Sequence, residues 1–556
     1  MLKIKILLFL LLPAIFFAEV PHETRAVWIT TNFGLDFPNG IKDPVAQQNY
    51  LRKIFRTIRE KNFNTVYFQV RSNGTVLFNS SYEPYSSELT GFTGGDPAYD
   101  PTAMAISLAR EEGLEIHAWV NTFRCFSGNN REVLLNAKHP FKTHSKLVKS
   151  FSDGGNLSYW MDPGQPETQA YLVDLFTELV TKYNFDGLQL DFIRYPGKNF
   201  DDGNTYNLYG ANQKKDDWRR GNITKFISDL KKSLRTVNPH IKLGATPIGI
   251  YKNPEGFYGF QAYYDVYQDV ESWIAGNLVD YIVPQIYWDI KTAPFFSSIS
   301  AEWIKLKKKC QVIVGIGAYK DEVKRELKEQ INVTRNLGAE GVAFFRYENI
   351  SNEYLFSEPA LPSAYKTGEV LNLPQPQNLS AAADPLLNNN LKLSWEFDNK
   401  FEDKLKYFAI YEVASDAPSL LKLVEPSSRS FILSDRARLK QVSYFSVGCV
   451  DVNWNEKDVS SNKIRVENKA LISLLDKVTY PNEPVLTKSG DGFILSYYSK
   501  RQESLEITAT KGTDQLFFHT VSLVTGLNII PVAVSEKPDF IELKFPEKGE
   551  SRRLKL

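Results

Sequence analysis

The stretch Phe185 to Pro196, Phe-Asp-Gly-Leu-Gln-Leu-Asp-Phe-Ile-Arg-Tyr-Pro, sets Gln189 and Asp191 on alternate positions of a short apolar run, with Arg194 just beyond. Leu188 and Leu190 fall on the other face, so the two polar side chains share the face that the sheet encloses. An enclosed carboxylate is costly unless it is paired or employed, so Asp191 and Arg194 form either a buried ion pair or part of a site. Further residues of the same kind recur along the chain: Arg71 after Gln69; His117, Trp119, Asn121 and Arg124; Gln285, Tyr287, Trp288 and Asp289; and Arg346 with Glu348. Carboxylates can move protons, while Arg, Asn, Gln and His bind hydroxyls and Trp and Tyr faces hold sugar rings.

Short apolar runs that position these residues alternate with amphipathic stretches. The predicted strands are Arg25 to Thr30, Thr65 to Val70, Leu114 to Val120, Gly187 to Phe192, Lys242 to Thr246, Tyr281 to Ile286, Val312 to Ile316 and Gly341 to Phe345. Helical periodicity fills the gaps, for example over Gln48 to Lys61, Pro101 to Glu112, Glu167 to Tyr183, Trp218 to Val237 and Asp321 to Leu337. Eight such pairs predict an α/β fold, a (β/α)8 TIM barrel spanning residues 19–370, with chemistry at the carboxyl ends of the strands. No Gly-rich phosphate loop follows the first strand, which argues against a nucleotide-binding open sheet. The stretch from Ser72 to Asp100 exceeds an ordinary connection and reads as a lid or cleft wall.

Glycosidic hydrolysis commonly needs one carboxylic acid for the leaving oxygen and a second carboxylate as nucleophile or base. Asp191 is the first choice. Asp289 and Glu348 are the nearest partners by barrel position, and Glu83 and Glu88 could reach in from the long loop. Asp162, in Asp-Pro-Gly before a helical stretch, reads as a turn or helix-entry residue. His117 could equally be an interior histidine.

Taken together, Arg25-Ala26-Val27-Trp28-Ile29, Gln69-Val70-Arg71, Glu88-Leu89-Thr90-Gly91, His117-Ala118-Trp119-Val120-Asn121, the stretch Asp186 to Pro196, and Pro284-Gln285-Ile286-Tyr287-Trp288 resemble, in order, the blocks of the glycosyl hydrolase-like 10 family. That resemblance implies a TIM barrel, an exported bacterial protein and glycoside hydrolysis, in some members of peptidoglycan glycan strands. One position departs: after Gln-Val-Arg the family usually has Gly-Asp-Ala and an aromatic, whereas here Thr75 replaces the acid. Either that acid is not essential or this chain has altered chemistry. The stretch around Asp191, with Tyr-Trp-Asp two strands later, also partly resembles the substrate-assisted chitinase pattern, but Gln189 and Ile193 stand where that pattern has acids.

The chain has 556 residues, with 66 Lys+Arg against 65 Asp+Glu, and its near-zero net charge and lack of a polybasic run argue against nucleic acid as a partner. Lys3 and Lys5 followed by the apolar run Ile6 to Phe17 predict a signal peptide over residues 1–18, hence a periplasmic, cell-surface or extracellular location. Three widely spaced cysteines form neither a disulfide framework nor a metal motif. None of the six histidines pairs at ligand spacing with an inward acid, so no metal or cofactor is expected and a metal-dependent deacetylase is disfavoured.

Alternation stops at the Pro/Gln linker near Asn372 to Gln377. Residues 374–467, with Trp395 and a later strand opening on Tyr444, resemble a fibronectin type III domain, and residues 470–556 read as a further small β-sandwich. Glycan binding and cell-wall or surface attachment are both open for these modules. The expected partner is a polysaccharide substrate; the rival expectation is a glycan-binding protein on a degenerate barrel.

Overall fold

The computed structural model describes residues 22–555 apart from 211, 256, 367, 369, 384–390, 414–417, 434–441, 457–461, 468–483, 490–491, 500–502, 524–525 and 535. The signal peptide predicted over residues 1–18 lies outside the described residues.

Eight parallel strands close into a barrel: β1 (Thr24–Ile29), β2 (Thr65–Ser72), β3 (Glu115–Asn121), β4 (Gly187–Asp191), β5 (Lys242–Ala245), β6 (Tyr281–Ile282), β7 (Gln311–Ile316) and β8 (Gly341–Phe344). Closure is made by β1 pairing with both β2 and β8, with Ala26 opposite Thr65 and Thr24 opposite Gly341. The sixth strand is shorter than its apolar run predicts. Pro284 has no N–H for the ladder, so Gln285–Ile286 form a separate pairing with β7. The helix expected over Asp321 to Leu337 likewise divides into Asp321–Lys324 and Leu327–Asn336.

Period-two alternation separates two cores. Val27, Ile29, Leu188 and Leu190 pack outward against the helices, whereas Ala26, Trp28, Tyr67, Trp119 and Tyr281 fill the barrel interior. The helices begin where capping chemistry allows. Asp43 accepts the amide of Ala46 ahead of Pro44–Glu60, and Asp100 accepts that of Ala103 ahead of Pro101–Glu112, each with Pro at the first helical position. Two barrel glycines serve interior packing: a Cβ on Gly187 would stand 2.4 Å from His117 Nδ1, and one on Gly244 would stand 2.0 Å from the Tyr281 ring.

Between β3 and the helix Pro166–Lys182, a three-stranded antiparallel sheet (Arg124–Ser127, Val148–Asp153, Asn156–Met161) rises at the carboxyl end of the barrel. A β-sandwich docks at the opposite end. It pairs a sheet of Gln377–Ala383, Leu391–Glu396 and Ser430–Leu433 with one of Pro418–Val424, Leu405–Val413, Val442–Asp451 and Ile464–Glu467. Lys406 forms an ion pair with Asp186, which immediately precedes β4. Lys422 donates to the carbonyl of Glu111 at 3.3 Å, and Leu361 packs with Tyr407, Leu423 and Trp454. Trp395 is in the sandwich core against Phe408, but Tyr444 is 42 % exposed and does not serve as a core tyrosine. A second pair of antiparallel sheets follows from Val485 to Lys555, with Leu495, Ile507, Leu543 and Phe545 in its core.

Candidate functional site

Asp191 ends β4 at the open, carboxyl face of the barrel, and the next residue turns sharply. Phe192 has φ 49°, a left-handed backbone that bulky residues rarely adopt, so the chain swings aside directly after the acid. The Asp191 carboxylate accepts the Trp119 indole N–H at 3.2 Å and the Phe192 amide at 2.7 Å, and its residue is 9 % exposed. Burial pushes its pKa above the usual carboxylate range, against the opposing pull of the Phe192 amide, Arg124, Arg194 and Trp119. Neither arginine hydrogen-bonds the acid among the described residues; both act on it through space. The contact ion pair left open by the sequence is therefore not formed.

Above Asp191 lies a cavity of about 330 Å³, walled by Trp28, Gln69, Trp119, Arg124, Phe192, Arg194, Gln285, Tyr287, Tyr319 and Phe345, with Phe33 and Leu35 from the loop after β1. Its volume falls in the range of small-ligand sites. Tyr287 stacks on Phe345 at 6.0 Å and 28°, and Tyr319 meets both edge-on. Tyr319 is 49 % and Phe33 is 54 % exposed, so the mouth of the cavity has free aromatic surface suited to pyranose rings. Arg124 lies 3.4 Å from the Phe192 ring centre, and Arg194 lies 5.1 Å from it and 5.2 Å from that of Trp160. The turned-out Phe192 thus orients both guanidinium groups.

The structure gathers Trp119, Arg124, Arg194, Gln285 and Tyr287 with Asp191 in this cavity. It assigns the remaining sequence candidates other surroundings. Arg71 is enclosed with Glu83, which its Nε and Nη2 meet at 2.8 and 2.6 Å, and it binds the long loop to β3 instead of reaching a ligand. His117 lies deeper in the barrel, with Nδ1 2.6 Å from the Tyr281 hydroxyl. Asn121 is fully buried and accepts from Gln69 at 3.3 Å, while Gln189 accepts the Trp28 indole N–H at 2.7 Å. Trp288 packs beside Gly249 in the outer core. Arg346 is held between Asp36 and Glu348.

Both proposed partner acids stand apart as well. Asp289 closes its own turn by accepting the amides of Lys291 and Thr292 at 2.7 and 2.6 Å; slight burial raises its pKa, but these N–H groups outweigh that and lower it. Glu348 is exposed and paired with Arg346. Glu83 is consumed by Arg71, and Glu88 lines a separate recess with Ser72, Asn73 and Thr75. Among the described residues, Asp191 is the sole carboxylate lining the central cavity. Asp289→Asn and Glu348→Gln are each expected to leave kcat/KM within about two-fold of the parent, measured as reducing ends released; a loss of about a hundred-fold in either would return that residue to the chemistry.

Trp28 was legible as an inward residue of β1, two positions from Ala26, and Phe345 as the end of β8. Phe33 and Tyr319 are loop residues without periodic signal, so nothing local marked them.

The sequence of residues 23–334 matches the family described as Glycosyl hydrolase-like 10. The chain is 29% identical over 435 residues to Glycosyl hydrolase YngK of Bacillus subtilis (strain 168), covering 71% of this chain and 83% of that protein. It is 31% identical over 326 residues to Glycosyl hydrolase DigH of Escherichia coli (strain K12), covering 53% of this chain and 73% of that protein. Among solved structures, the catalytic domain of the β-amylase from Paenibacillus polymyxa aligns with a TM-score of 0.39 at 13% identity, over 62% of this chain and 97% of that one.

Proposed function

Because this chain belongs to the glycosyl hydrolase-like 10 family, we propose that it is an exported glycoside hydrolase acting on amino-sugar glycan strands, foremost those of peptidoglycan, with Asp191 moving the proton. The observation that carries this reading is the isolation of Asp191: a buried carboxylate with a raised pKa, on the floor of an aromatic cavity that no other acid lines among the described residues. Hydrolysis needs no carboxylate nucleophile from the enzyme when the substrate supplies its own.

In that scheme protonated Asp191 gives its proton to the leaving glycosidic oxygen as the carbonyl oxygen of the substrate's 2-acetamido group attacks the anomeric carbon. The C–O bond breaks and a cyclic oxazolinium ion forms. Asp191, now ionised and facing Arg124 and Arg194, takes a proton from the water that opens the ring. Tyr287, Tyr319 and Phe33 supply faces for the flanking sugars. The sandwich packs at the other end of the barrel, which leaves the cleft open to a polymer. The basic and apolar leader at residues 1–18 supports export.

Glycan strands and their chemically de-N-acetylated counterparts, incubated with the whole protein and assayed for reducing ends, test this. Loss of the acetyl groups is expected to lower the rate by roughly a hundred-fold or more. Equal rates would exclude the acetamido nucleophile. That no second acid lines the cavity among the described residues also favours a non-catalytic glycan-binding reading. Retention of N-acetylated strands without any release of reducing ends would establish that reading instead.

A further inference from the structure

The three-stranded insertion has an open edge. Asn156–Met161 runs in the middle, with Arg124–Ser127 on one side and Val148–Asp153 on the other. Gly154 and Gly155, at φ 53° and 85°, make the tight turn that joins Val148–Asp153 to the middle strand. Two backbone bonds at the far end of this hairpin fix which groups face outward. The Met161 amide donates to the Phe123 carbonyl at 2.8 Å, away from Val148–Asp153, and the Asp162 amide donates to the Leu147 carbonyl at 2.8 Å, towards it. Alternation then turns the backbone groups of Lys149, Phe151 and Asp153 inward, to Trp160, Ser158 and Asn156. Those of Val148, Ser150 and Ser152 point outward, where no strand pairs with them among the described residues. Ser150 and Ser152 are exposed.

Sheet edges are normally blunted by a proline, a bulge, a covering element or charge. Here the pairing runs without a register shift from Val148 opposite Met161 to Asp153 opposite Asn156, and the strand holds no Pro. Charge is what remains. From Val133 to Ser152 the chain carries Lys138, Lys142, Lys146 and Lys149 and no acid, in a molecule whose net charge is +1. Lys142, Lys146 and Lys149 form no ion pair among the described residues, and Lys149 acts on the buried Asp162 only through space. Free N–H and C=O groups beside unpaired lysines fit an extended chain that carries acids. They fit a second copy of the same edge poorly, since pairing would bring lysines of like charge together.

The inward face of this strand belongs to the cleft. Phe151 and Asp153 line a second cavity of about 540 Å³ together with Arg131 and Trp160, and this cavity shares Arg124, Phe192 and Arg194 with the central one. A strand added at the edge would therefore lengthen the wall of the cleft.

We infer that the edge of Val148–Asp153 is a docking site for an acidic, extended segment of a partner protein, which joins the insertion as a fourth strand. This docking site stands apart from the hydrolase reading and does not depend on it.

Fluorescence anisotropy of the whole protein with a labelled peptide that alternates Thr and Glu over about eight residues tests this. The peptide is expected to bind about ten-fold or more tighter than its Thr-Lys counterpart, and by a similar margin over a version N-methylated on alternate amides. Ser150→Pro removes an outward N–H and leaves the ladder to Asn156–Met161 intact, so it should abolish binding at the parental melting temperature. Lys146→Glu should weaken the acidic peptide and favour the basic one. Equal binding of the N-methylated peptide, with equal affinity for polyphosphate, would mark an unspecific basic patch and overturn the docking site. Failure of the Thr-Glu peptide to bind overturns it too, as does a dimer of the parent that Ser150→Pro disperses, which would give the edge to a second copy. The N-methylated comparison uses unsubstituted protein, so it decides even where a variant fails to fold.

Discussion

Asp191→Asn is expected to lower kcat/KM on glycan strands by about 10²–10⁴-fold, the contribution of a positioned proton donor and acceptor. Asn keeps the shape and can still accept the Trp119 indole N–H, so substrate binding should change far less than turnover. The pH profile carries a second signature. Because burial raises the Asp191 pKa, its acid form persists above the usual carboxylate range, and activity should fall as pH rises through the raised value. Arg194→Gln removes a positive charge that favours the ionised form, so the alkaline limb should move to higher pH. Stability should respond to pH in the same sense as activity. A carboxyl whose folded pKa lies above its unfolded one contributes stability below the unfolded value, near 3.9, and loses it as pH rises through the folded value. Asp191→Asn removes this titration, so the part of the pH dependence of the melting temperature that Asp191 contributes should be absent from the variant. A variant that releases reducing ends at the parental rate would sink the assignment of Asp191.

Arg71→Ala is expected to destabilise the barrel by about 3–5 kcal/mol, because it strands the buried Glu83 carboxylate without its ion-pair partner. Arg71 and Glu83 are 1 % and 0 % exposed at the side chain, and they meet through two N–H groups. The remaining Arg71 nitrogen donates to the carbonyls of Asn121 and Thr122, and the Tyr171 hydroxyl donates to Glu83 at 3.2 Å. One pair thus ties the long loop after β2, the end of β3 and the helix Pro166–Lys182 to each other. Glu83→Gln should lose less, since its amide oxygen still accepts one N–H. Thermal unfolding monitored by circular dichroism measures both. An Arg71→Ala protein with the parental melting temperature and only a raised KM would show that Arg71 belongs to the ligand after all.

The motif at β4 illustrates how far a sequence carries function. Its two acids lie at opposite ends of one strand and do unrelated work: Asp186 anchors Lys406 of the sandwich, and Asp191 faces the cavity. Gly187 between them is explained by the His117 ring against its backbone. Period-two alternation made Gln69, His117, Gln189 and Asp191 legible as inward residues, and capping Asp-Pro pairs made the helices legible, because both signals are local. The repeated strand–helix pattern then left few folds besides the barrel.

Depth along the barrel axis is not local. His117 is level with Gly187, Trp119 with Gln189 and Asn121 with Asp191, a stagger set only when eight strands close on one another. That closure buried Arg71, His117, Asn121 and Gln189 in satisfied or interior contacts and left Trp119, Gln285, Tyr287 and Asp191 at the opening. Loops decided the rest. Phe33, Tyr319 and Arg131 reach the cavities from segments without periodicity, and Asp289 and Glu348, close to strand ends in sequence, are held away by their own turns. The sequence alone therefore determined the barrel, the strand that bears Asp191 and the family; the tertiary structure decided that, among the described residues, no other carboxylate shares its cavity, because only packing fixes which inward side chains meet in one space.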